Sequence, residues 1–217
     1  MLDDQMQTAS QALAEMDYAR CEALCLEALA QAREAEDWVA VRRVLLPLQE
    51  ARRQRRQKAI DGWITLGQNR DEVDDRSHGC VVFTRPVTTE RVASFDAAMR
   101  ASVLPVEVLY ADNNASSEAW RITTFSGPRV TASVPAPRCE WIGQTINAQQ
   151  TAPPTPAHWF MQASEELGNA ALASITEPPG TVEYFDALAN ALAAVGDHEI
   201  LHQRLADAAK ALHGAGR

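Results

Sequence analysis

The sequence predicts an α+β fold, mostly helical, in which helical segments at both ends flank a small mixed β-sheet with one crossover helix. Three observations carry this. Residues 1–67 place apolar side chains at helical spacing and show no strand signal. The middle of the chain alternates short apolar runs with a single amphipathic stretch. From residue 157 onward the helical period returns. The expected organisation is a helical segment over 1–67, a sheet domain over 78–144 and a second helical segment over 157–217.

Each element follows from local chemistry. Gln5 to Ala14 suits a helix, and Asp17 is placed to cap the next one, because its carboxylate can accept from a free amide of the first turn. Cys21, Leu24, Cys25, Ala28 and Leu29 then recur at i, i+3, i+4, i+7 and i+8, one apolar stripe. Asp37 caps a third helix with Trp38, Val41, Val44, Leu45 and Leu48 as its stripe. Pro47 inside it lacks an N–H, so a kink or a split is expected there. Gly67 to Gly79 is polar and acidic without periodicity and reads as a linker. Gly79–Thr84 reads as a buried strand, Glu90–Ser102 as a helix and Pro105–Ala111 as a second strand, which together make a parallel crossover. Ala119–Phe125 and Arg129–Pro135 read as two strands joined at Ser126-Gly127-Pro128, for about four strands in all. Thr145 to His158, rich in Pro, Gln and Thr, reads as a second linker. A helix striped by Trp159, Phe160, Ala163, Leu167, Ala170 and Ala171 ends at Pro178-Pro179-Gly180. Thr181 then caps Tyr184–Val195, and Gly196-Asp197 opens the last helix, striped by Leu201, Leu205, Ala208 and Leu212.

Composition narrows the function classes. With 46% apolar and 23% charged residues over 217 positions, the chain can bury a core and is not a disordered segment. No apolar run is long enough to cross a membrane. The start, MLDDQMQTAS, has neither the basic nor the apolar region of a secretory signal, so a cytoplasmic location is expected, with Cys21, Cys25, Cys80 and Cys139 as thiols. The ten glycines are scattered, and neither a phosphate-cradling glycine loop nor a G-x-S-x-G elbow is present. P-loop and dinucleotide-fold nucleotide binding and the usual serine-hydrolase chemistry are therefore not expected.

The two helical ends resemble tetratricopeptide-type helix pairs. The resemblance rests on Phe185, Leu188, Ala189 and Leu192, the Gly196-Asp197 turn, and Leu201, Leu205 and Ala208, with Ala9, Ala12, Asp17-Tyr18, Cys21, Cys25 and Ala28 as a poorer match. It covers about a third of the chain and implies stacked helices with a groove for a partner, and no activity. Because such arrays need about three repeats to stand alone, the ends are expected to pack on each other or on the sheet.

Four constellations could carry chemistry. His198-Glu199-Ile200-Leu201-His202 is an H-E-x-x-H string, which on a helix can bind zinc with the glutamate as general base. Here it sits in a first helical turn, lacks the downstream third ligand and has Arg204 where an apolar residue is normal. A cap-and-flank pair beside Leu201 and Leu205 is the preferred reading, and a zinc-dependent hydrolase the alternative. Cys21 and Cys25, with His78, Cys80 and Cys139, could form a Cys/His site, but their position on an apolar stripe favours core packing. Arg52, Arg53, Arg55, Arg56 and Lys58 form a basic run. Trp38–Ile60 carries seven basic residues and one acid, Met1–Asp37 nine acids and two basic residues. Intramolecular pairing, an acidic protein partner and nucleic-acid phosphates all fit the run, although the net charge of −9 opposes long-range attraction to nucleic acid. Finally, Thr84–Thr89 and Asp112–Asn114 follow parallel strands, the usual crevice for a small ligand.

The function expected is a non-enzymatic protein–protein interaction adaptor or scaffold that binds a protein or peptide, with Arg52, Arg53, Arg55, Arg56 and Lys58 as partner-binding residues. No catalytic set, cofactor or metal is assigned. A nucleic-acid binder acting through the same basic helix is the remaining alternative.

Overall fold

The computed structural model describes residues 2–69, 79–101, 104–114, 116–148 and 154–215. It divides into two compact units, one of residues 1–55 with 175–217, the other of residues 56–174. The first holds the two chain ends packed on each other. The second holds the sheet, and it also takes the helix 156–173 that the sequence pattern groups with the C-terminal segment.

Helices α1 (Leu2–Ala14), α2 (Tyr18–Glu34) and α3 (Trp38–Ile60) follow one another through two near-identical turns. In the first, Met16 adopts φ 62° and the Asp17 amide donates to the Ala12 carbonyl. In the second, Glu36 adopts φ 51° and the Asp37 amide donates to the Ala32 carbonyl. Each is a left-handed helix stop, and each is followed at once by the next cap. Asp17 accepts from the Arg20 amide at 3.2 Å and Asp37 from the Ala40 amide at 3.0 Å. Pro47 does not split α3, which runs unbroken from 38 to 60. The α3 stripe of Trp38, Val41, Val44, Leu45 and Leu48 is buried as expected from sequence, whereas on α2 Cys21, Cys25 and Ala28 are buried and Leu24 and Leu29 only half-buried.

Helices α6 (Val182–Val195) and α7 (Glu199–Ala215) complete this unit. The Thr181 hydroxyl accepts from the Tyr184 amide at 3.1 Å and so starts α6. Gly196, at φ 82°, ends it. The Arg33 guanidinium grips Asp186 with two 2.7 Å bonds and lies over the Trp38 ring, whose neighbour is the Phe185 ring at 5.1 Å. Phe185, Leu188, Leu192, Leu201 and Leu205 are buried.

In the second unit a six-stranded sheet has the order β5-β4-β3-β2-β1-β6. The strands are β1 (Trp63–Gln68), β2 (Gly79–Thr84), β3 (Val106–Ala111), β4 (Ala119–Thr123), β5 (Thr131–Pro135) and β6 (Thr145–Asn147). β1, β2 and β3 are parallel, and the remaining pairs are antiparallel. Helix α4 (Thr89–Ala101) makes the crossover from β2 to β3 and packs Val92, Phe95 and Met99 on Val81, Phe83, Val108 and Tyr110. Helix α5 (Pro156–Ala173), capped by Thr155, covers the other face. There Trp159 meets Trp120 edge to face at 5.3 Å and donates its indole N–H to the Pro135 carbonyl.

Two strands exceed the expected four, and both correct the linker boundaries. β1 occupies residues read as the tail of the helical segment. It is buried on both faces, so it shows no alternation, and β2 approaches so closely that a Cβ on Gly79 would lie 2.1 Å from the Trp63 carbonyl oxygen. Gly67 and Gln68 belong to β1 and Gly79 to β2, and residues 70–78 of that expected linker lie outside the described residues. β6 and the start of α5 fall in the expected linker 145–158, of which 149–153 lie outside the described residues.

Candidate functional site

The H-E-x-x-H residues are split between the interior, which holds both histidines, and the surface, which holds the glutamate. His198 precedes α7 and acts as its cap, with Nδ1 accepting from the Leu201 amide at 3.3 Å. His198 and His202 are buried, 1% and 2% exposed, whereas Glu199 is exposed and accepts from Gln203 at 2.9 Å. A glutamate on the solvent face cannot serve a metal-bound water held by two inward imidazoles. Among the described residues no three His, Cys, Asp or Glu side chains gather as a metal site. His198 is the expected cap, and both histidines are buried together with Leu201 and Leu205.

What surrounds His202 is a buried charge cluster. Glu22 on α2 accepts from Arg52 Nε at 2.9 Å with one oxygen and from Arg55 Nη1 with the other. Arg52 also donates to the Gly196 carbonyl at 3.1 Å, so one guanidinium ties α2, α3 and the α6–α7 turn. Neither ring nitrogen of His202 has a hydrogen-bond partner among the described residues. Burial, with Arg52 nearby, pushes its pKa down to about 3, and the ring is neutral at physiological pH.

This placement corrects the reading of Arg52 and Arg55 as partner-binding residues. Arg52 and Arg55 are interior residues held by Glu22 and are closed to a partner. Arg53 is exposed and forks onto Glu50 with two 3.0 Å bonds. Arg56 is half-buried and Lys58 exposed. Intramolecular pairing therefore accounts for Arg52, Arg53 and Arg55.

The cysteines are separate features. Cys21 and Cys25 are buried in the first unit, their thiols hydrogen-bonded to each other, and Cys21 donates weakly to the Pro47 carbonyl at 3.8 Å. The hydrogen bond with Cys21 and burial both push the Cys25 thiol up, away from the reactive thiolate. Cys80 is buried in β2, where burial raises its pKa, and Cys139 is exposed. His78 lies outside the described residues. The two loops expected to form a crevice do meet, since Arg85 donates twice to Asp112.

A surface groove lies elsewhere, between α1 and α3. A groove of 810 Å³ is lined on α1 by Met6, Ser10 and Leu13 and on α3 by Arg42, Leu46 and Pro47. Asp3, Met6, Ser10 and Leu13 on α1, and Arg42, Leu46 and Glu50 on α3, recur every three or four residues, with Pro47 adjoining Leu46, so each helix presents one face to it. The lining runs from Asp3 to Leu13 along α1, a length of about 15 Å. Leu46 is 73% exposed, the most exposed large apolar side chain among the described residues. Arg43 reaches Asp3 at 3.0 Å, whereas Arg42 is exposed and has no acidic partner among the described residues. The sequence signal for this groove is Leu46 itself, an apolar residue on the charged side of α3.

Comparison of the chain with protein-family models, with curated proteins and with solved structures finds no significant match.

Proposed function

We propose that the chain is a non-enzymatic adaptor whose α1–α3 groove holds a short amphipathic segment of a protein partner. The carrying observation is the groove itself: apolar Met6, Leu13 and Leu46 within a cavity of 810 Å³, with Arg42 at its edge. Apolar anchors on the partner would be buried against Leu46 and Leu13, the part of the contact that supplies affinity. An acidic residue beside the anchor would pair with Arg42 and set its register. The tetratricopeptide-like stacking of α1, α2 and α3 belongs to the same proposal, with the groove side formed by the first and third helices. So does a reducing, cytoplasmic setting, in keeping with four free thiols of which three are buried core residues.

The test is affinity capture from the native cell with wild type and Leu46→Glu side by side. A protein recovered in near-equal amount with the wild type and lost with the variant supports the reading, provided both melt alike. Recovery that is indifferent to Leu46→Glu overturns it.

A further inference from the structure

We propose that the carboxyl edge of the sheet binds the phosphate group of a small molecule through Arg85, Arg121 and Arg129. β2 ends by delivering Arg85, β3 ends by delivering Asp112, and Arg121 lies beside them on β4, where its carbonyl accepts from the Asp112 amide at 2.8 Å. Arg129 arrives from the β4–β5 connection. All three guanidiniums converge on one carboxylate. Arg85 donates to Asp112 Oδ1 at 2.9 and 2.6 Å, Arg129 to Oδ2 at 3.1 Å, and Arg121 lies 4.0 Å from Oδ2. Asn113 pins the frame, accepting from the Arg85 amide at 3.2 Å with its backbone and from the Arg121 amide at 2.8 Å with its side chain.

Charge makes this arrangement more than a salt bridge. One guanidinium neutralises one carboxylate, and two further cations remain, so the cluster carries +2 in a chain of net −9. Asp112 is the acid that each of the three pairs with among the described residues. The carboxylate is 9% exposed while the arginines are 58%, 60% and 70% exposed. The internal anion is thus covered, and the outer N–H edges face solvent. A phosphate monoester carries a charge of about −1.5 to −2 at neutral pH and three acceptor oxygens, which matches both the excess charge and the fork geometry of guanidinium donors. A polynucleotide offers the same phosphate chemistry, but two excess charges neutralise only one dianionic group, and the acidic chain repels the rest of a polyanion.

The test uses the full chain at low salt, with inorganic phosphate and pyrophosphate as probes, read by the arginine Nε–H resonances. Saturable binding that shifts Arg85, Arg121 and Arg129 is expected. Arg129→Gln and Arg121→Gln should each weaken it about tenfold, the loss of one charge-assisted contact, while Arg138→Gln, which alters an exposed arginine paired with Glu140, should leave it unchanged. Shifts that stay linear up to about 10 mM probe, or equal affinity in Arg129→Gln and wild type, overturn the proposal. An oligonucleotide that binds more than tenfold tighter per phosphate than pyrophosphate overturns the small-molecule assignment.

Discussion

Replacing Glu22 with Gln should be among the most damaging single changes available in the helical unit. Glu22 accepts from Arg52 and Arg55, and all three side chains are under a tenth exposed. The substitution leaves two guanidiniums buried with no counter-charge, beside His202. Breaking a buried ion pair from one side costs about 3–5 kcal/mol, because the abandoned charge keeps its desolvation penalty. That is a large share of the roughly 5–15 kcal/mol that holds a typical domain together. The same reasoning makes a second variant informative. Replacing the trio together by Glu22→Met, Arg52→Met and Arg55→Leu removes the charges along with the hydrogen bonds, and should recover most of the loss. Urea denaturation followed by circular dichroism measures both. A Glu22→Gln variant within about 1 kcal/mol of wild type, the scale of an exposed pair, would refute the buried-triad account, as would a triple variant less stable than the single one.

Other expectations follow from the same geometry. His202 has a folded pKa of about 3, below the ordinary imidazole value, so the folded state binds fewer protons than the unfolded state between the two. Stability is therefore full above about pH 6.5 and falls by up to about 1.4 kcal/mol per pH unit as pH drops toward 3; His202→Leu should flatten that slope in pH-dependent melts. Met16 holds a left-handed conformation and is exposed. Met16→Gly should stabilise by about 0.5–1 kcal/mol, the relief of strain less the entropy of glycine, seen as a raised melting temperature. Gly79→Ala would place a Cβ 2.1 Å from the Trp63 carbonyl oxygen. It should part β1 from β2 and cost upwards of about 3 kcal/mol, measurable by chemical denaturation.

The sequence made the capped helices and the crossover legible because their signals are local. Asp17, Asp37 and Thr181 act within three residues of themselves, and Gly79–Thr84 and Val106–Ala111 are apolar runs bounded by breaks. β1 escaped because covering on both faces removes the alternation that marks a strand, and it follows directly on a long basic helix. β6 is three residues held by a strand some eighty positions earlier. The basic run misled for a different reason. Arg52 and Arg55 continue the inward stripe of Val41, Val44 and Leu48, but an arginine reads as solvated unless its partner is known. That partner, Glu22, sits thirty residues away, next to Cys21 on the buried side of α2. The arginine cluster at Asp112 is equally non-local, since its four members come from β4, one turn and the ends of two strands.

Photo-crosslinking inside the native cell tests the α1–α3 groove most directly. A photoreactive phenylalanine analogue at position 46, in the groove, is compared with the same analogue at position 26, an exposed leucine on α2 that does not line it. The adaptor account expects one discrete protein adduct from position 46 and none from position 26. No adduct at 46, or the same adduct from both positions, would contradict it.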